Sequence, residues 1–108
     1  MKKQEQLSIN SKIELAMDKY NEVIYDTPDY KMPPKVRLNN CQAWTQDFEG
    51  FTILWSYNNA VAVYDNFTDT LYDILRGVYG YTSTSAQHIA KFRNMCNPAN
   101  VMTYRRCK

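Results

Sequence analysis

One histidine, three glycines and an odd number of cysteines are the main scarcities of this chain. A single histidine cannot build the multi-histidine ligand set of a zinc or iron centre, and Cys41, Cys96 and Cys107 match no metal-ligand spacing. Three thiols cannot all pair within one chain, and their spacings fit no disulfide framework, so reduced thiols are expected. No apolar run approaches the roughly 18 residues of a membrane-spanning helix. The basic start, residues 1–12, lacks the apolar segment of a secretory signal. These absences imply a cytoplasmic protein with no cofactor and no membrane partner. The Asn66-Phe67-Thr68 sequon then carries no glycan.

Acids are also missing from the end of the chain. All 11 lie at or before Asp73, and residues 74–108 hold six basic residues and no acid. Between Leu38 and Leu75 the pattern reverses: Asp47, Glu49, Asp65, Asp69 and Asp73 occur with no lysine or arginine. An acidic middle is followed by a basic end, and this asymmetry says more about partners than the net charge of +2.

What is present suits a folded domain. The chain has 108 residues, 44% hydrophobic, enough for one core and a single domain over 1–108. Nine tyrosines suit a core with wet edges or a binding face. Ile9, Ile13, Ala16, Met17, Tyr20, Val23 and Ile24 recur at helical spacing, which predicts a helix over 8–25. Ser11-Lys12-Ile13-Glu14 reads as its capping box. Thr27-Pro28 ends it, and 26–35 is a proline-rich loop. An antiparallel meander is expected over 40–75, with turns at Glu49-Gly50 and Asn58-Asn59. That second turn sets Trp55 opposite Ala62 and Ile53 opposite Tyr64, so one face carries Phe51, Ile53, Trp55, Tyr57 and Tyr64. The segment 76–81 reads as a loop or bulged strand. A second helix is expected over 84–96, capped by Thr84 and Gln87 and ended by Asn97-Pro98. Residues 97–108 form a basic tail in which "VMTY" can be a short strand. The expected fold is α+β: a three- to four-stranded antiparallel meander, with both helices packed on its aromatic face.

"SYNNAVAVYDN" followed by "YTSTSAQHIAKF" resembles a family of small proteins of unknown function from bacteriophages and related mobile elements. The resemblance covers about residues 50–93. It implies a phage or mobile-element origin, hence a bacterial host cell, and a meander-plus-helix unit. It supplies no catalytic residues.

His88 follows a run of hydroxyl residues, which raises a nucleophile-and-base reading. No acid follows Asp73 to orient the imidazole, and Ser85 is expected to be committed to capping, so a triad is not expected. Pairing of Cys41 with His88 is a second catalytic arrangement with no further support. The hydroxyl run can also hold an anion at a helix start, although plain capping explains it. The basic set Arg76, Lys91, Arg93, Arg105, Arg106 and Lys108, interleaved with Tyr79, Tyr81 and Tyr104, suits an anionic partner: single-stranded nucleic acid, an acidic protein surface, or the chain's own acidic sheet, within a monomer or across a homodimer. The acidic set Asp47, Glu49, Asp65, Asp69 and Asp73 can mimic a nucleic-acid backbone in the groove of a nuclease, or simply solvate a sheet edge. The resulting expectation is a non-enzymatic protein that binds a host protein, such as a CRISPR effector or another defence nuclease, and inhibits it. The alternative is a small single-stranded nucleic-acid-binding protein.

Overall fold

The computed structural model describes residues 3–75 and 82–105. Helix α1 spans Lys3–Asp26. A single 3-10 turn, Asp29–Lys31, breaks the proline loop. Strands β1 (Lys35–Arg37), β2 (Ala43–Phe48), β3 (Phe51–Ser56), β4 (Asn59–Asp65) and β5 (Thr70–Asp73) follow. Helix α2 (Ser83–Cys96) then leads to β6 (Asn100–Thr103). The described residues form one six-stranded sheet in chain order. Strands β1 to β5 are an antiparallel meander, and β6 lies parallel to β5. The fold is α+β as expected, but the sheet is longer and mixed. A parallel neighbour needs a crossover connection, and the segment that contains α2 supplies it.

The helices do not share a face. Ile13 and Tyr20 of α1 pack with Phe48, Phe51, Ile53, Val63 and Tyr72. Ile89 and Phe92 of α2 pack with Leu54, Val61, Ala62 and Leu71 on the other side. Both faces of the central strands are apolar, so one covered face would leave the other wet. The aromatic side belongs to α1: Phe48 stacks on Phe51 at 5.0 Å, and Tyr20 sits 4.6 Å from Phe51.

Helix α1 begins well before the expected start. Ser11 does not cap it; its hydroxyl donates to the Leu7 carbonyl inside the helix. The reason lies in Gln6 and Asn10, which are buried and face β6. Gln6 Nε2 donates to the Thr103 carbonyl (3.0 Å) and to Asn10 Oδ1 (2.8 Å). Asn10 Nδ2 donates to the Arg105 carbonyl (2.6 Å), and Oδ1 accepts from the Arg105 amide (3.2 Å). Two side-chain amides thus satisfy backbone at and just beyond the end of β6, and these bonds tie the first turns of α1 to the sheet.

The β3–β4 register also differs from expectation. The two-residue turn is Tyr57-Asn58, since Ser56 pairs with Asn59. Tyr57 takes positive φ (54°), a conformation that asparagine or glycine adopts more easily. Trp55 pairs with Ala60, a bulge follows, and Ile53 pairs with Val63. A one-residue slip exchanges faces. Tyr64 therefore leaves the aromatic side, and Val63 and Asp65 take places under α1. The Glu49-Gly50 turn stands as expected, with Gly50 at φ 87° and a Cβ there blocked by the Phe67 ring.

Candidate functional site

Helix α2 starts earlier than its expected cap. Thr82 is the N-cap, and its hydroxyl accepts from the Ser85 amide (3.2 Å). Ser85 is thereby released from capping, and it is buried. Its hydroxyl lies 2.8 Å from Ser56 Oγ, which in turn lies 2.9 Å from His88 Nδ1. Ser56 is 1% exposed and His88 5%. The result is a buried hydroxyl–hydroxyl–imidazole chain joining β3 to α2. Burial, aided by the nearby Lys91 charge, holds the imidazole below its ordinary value of 6.5. The directions follow the imidazole tautomer: a proton on Nε2 makes Nδ1 accept from Ser56 and Ser56 accept from Ser85, and a proton on Nδ1 reverses both. No carboxylate hydrogen-bonds the imidazole among the described residues, and Ser56 is closed to solvent. The chain links layers and offers no open nucleophile. Sequence reasoning missed Ser56, because its partner lies across the fold and no spacing announces it.

A second feature is open. On the α1 side, a groove of about 490 Å³ runs between the second half of the helix and the sheet. Met17, Tyr20 and Ile24 form one wall, and Ile53, Trp55 and Val63 the other. Its polar groups are few. Asn21 lines it, and Gln46 is pinned, accepting from Trp55 Nε1 (3.1 Å) and donating to the Pro33 carbonyl (2.9 Å). Lys35 lies 3.9 Å from the Trp55 ring centroid, a cation–π distance. Tyr25, 88% exposed, stands at the rim. The signal in the sequence is the uninterrupted aromatic alternation of β3, but which part of it α1 leaves open depends on where α1 docks.

The expected acidic site divides between the two faces. Asp65 lies under α1, and Asp47 and Asp73 lie on the α2 side. Most of these carboxylates have intramolecular partners. Asp47 accepts from the Thr52 hydroxyl (2.6 Å) and Asp69 from Tyr64 (2.6 Å). Asp65 accepts from Tyr20 (2.5 Å) and from the Phe67 and Thr68 amides. Asp73 accepts from the Leu75 amide (3.1 Å). Glu49 is exposed at its turn. Burial alone would raise the Asp65 carboxyl, but the bonds from Tyr20 and the two amides prevail and hold it below its ordinary 3.8. Conversely, its bond to Asp69 pushes Tyr64 up to about 12.

Of the expected basic set, Lys91 and Arg93 are exposed on α2, and Arg105 follows β6 with its backbone held by Asn10. Arg76, Arg106 and Lys108, with Tyr79, Tyr81 and the 76–81 loop, lie outside the described residues. Among the described residues, no three potential metal ligands cluster and no helix is long and apolar enough to cross a membrane. No protein-family model, curated protein or solved structure matches the chain. The likeness to small phage proteins therefore rests on the quoted residues alone.

Proposed function

We propose that the protein is a non-enzymatic binding module that acts by contact with another protein. The groove beside Trp55 carries this reading. Its volume lies within the range of specific pockets, its walls are apolar and aromatic, and Gln46 among its few polar groups is fixed in place. Buried tryptophan and tyrosine anchors ringed by polar groups are what recognition surfaces concentrate. The expected occupant is an apolar or aromatic side chain on a partner segment lying along α1. The buried Ser56–Ser85–His88 chain serves the α2 interface in this account. Inhibition of a bacterial defence nuclease is the specific form suggested by the phage resemblance.

Affinity capture from a bacterial lysate tests this when wild type is compared with Trp55→Ala. The groove reading requires a partner that wild type holds and the variant loses. Equal capture by both, or a partner that proves to be a second copy of the chain, removes it.

A second reading has one observation in its favour. Helix α2 contains no acid and presents Lys91 and Arg93 outward, as an anion-binding surface would. A single-stranded oligonucleotide should then bind with strong salt dependence, weakened in Lys91→Ala/Arg93→Ala. No binding at low salt excludes it.

A further inference from the structure

Cys41 and Lys91 come from distant parts of the chain and meet at one point. Lys91 Nζ lies 2.7 Å from Cys41 Sγ across 50 residues of sequence. That separation is ordinary for nitrogen and oxygen but short for sulfur, which is the larger atom. It is also longer than a direct nitrogen–sulfur bond. Two single bonds through one small bridging atom span such a gap. The backbones that carry both side chains are held in place. Cys41 donates its amide to the Leu38 carbonyl (3.2 Å), and its own carbonyl accepts from Arg37 Nε (3.0 Å). Lys91 projects from a helix locked down by buried Ile89 and Phe92. Preorganisation of this kind turns an encounter of two groups into a local event.

We propose that Cys41 and Lys91 are an oxidative cross-linking pair, joined through one oxygen atom as S–O–N, that clamps the β1–β2 turn to α2. The oxidant is dioxygen. The S–H bond and one N–H bond break, and S–O and O–N bonds form. Sulfur and nitrogen each lose two electrons. Dioxygen takes all four, leaving one oxygen in the bridge and one in a water molecule. Nitrogen reacts through its lone pair, so the reacting form of the lysine is the amine. Two equivalents of a dithiol supply the four electrons that cleave the bridge, release its oxygen as water and restore the thiol and the amine. Cys96 is a contrast within the same chain: burial pushes its thiol up to about 11, where the reactive thiolate is scarce.

The test is mass spectrometry of the full chain, kept reduced or exposed to air at mildly alkaline pH. The oxidised chain should gain one oxygen and lose two hydrogens. Trypsin should then leave the bond after Lys91 uncut, with a peptide containing Cys41 joined to one containing Lys91. Dithiothreitol should reverse both changes. Lys91→Arg, which keeps the charge but lacks the primary amine, and Cys41→Ser should abolish the product. Closing a loop of this length should also raise Tm by about 5 °C or more in the oxidised chain. Oxidation of Cys41 to sulfinic acid or to an intermolecular disulfide, at the same rate in wild type and Lys91→Arg, overturns the proposal. A cross-linked pair that has lost two hydrogens without gaining oxygen overturns the oxygen bridge.

Discussion

At the scale of single residues, the buried polar groups carry the sharpest expectations. Ser56 serves two partners at once, so Ser56→Ala leaves both Ser85 and His88 without it. Loss of about 1–3 kcal/mol is expected, the range for an unsatisfied buried polar group, and urea unfolding measures it. His88 sets a pH dependence. Its folded value lies below the 6.5 of the unfolded chain, so the unfolded chain binds the proton more readily. Stability from this group is complete above 6.5 and falls as pH drops from there toward the folded value. Asp65 adds a separate loss in stronger acid: its contribution is complete above 3.8 and disappears as pH falls through its lower folded value. Thermal unfolding between pH 7.5 and 5 should show the first loss, and His88→Gln should flatten it. An unchanged slope in that variant would assign the dependence to another group.

At the scale of elements, Asn10 and Tyr57 mark where local sequence and tertiary context part. Asn10 gives both sides of its amide to the Arg105 backbone, so Asn10→Ala should cost about 1–3 kcal/mol and speed hydrogen exchange at Arg105. Tyr57→Asn should relieve positive φ and raise stability by up to about 1 kcal/mol in the same urea assay. Both residues also show what could be read from the sequence. The apolar stripe from Ile13 to Ile24 announced α1, but its buried continuation through Asn10 and Gln6 is polar and became visible only beside β6. The Glu49-Gly50 turn was legible because glycine is needed there. The next turn was not, because tyrosine occupies the position expected of asparagine, and that displacement misassigned Tyr64. The run at Val101 read as a strand, but its parallel pairing depends on the crossover from β5. The hydroxyl run signalled a helix start and left its cap, Thr82, two residues away from the expected one.

At the scale of the whole molecule, α1 and α2 cover opposite faces of one sheet, and the α1 face keeps a groove open toward β2 and β3. The α2 side is closed by Phe92, Leu54 and the Ser56–Ser85–His88 chain, while on the α1 side Trp55, Tyr25 and Ile24 line the groove. The groove was not legible from the sequence, because the same aromatic alternation reads as core until the position of α1 is known. The most direct test is parallel affinity capture from a bacterial lysate with wild type, Trp55→Ala and Lys91→Ala/Arg93→Ala as baits, each checked for folding by circular dichroism. One partner should be held by wild type and by the double variant, and held about tenfold or more weakly by Trp55→Ala, as befits an anchor residue. Undiminished capture by Trp55→Ala, or loss confined to the double variant, would contradict the groove as the binding surface.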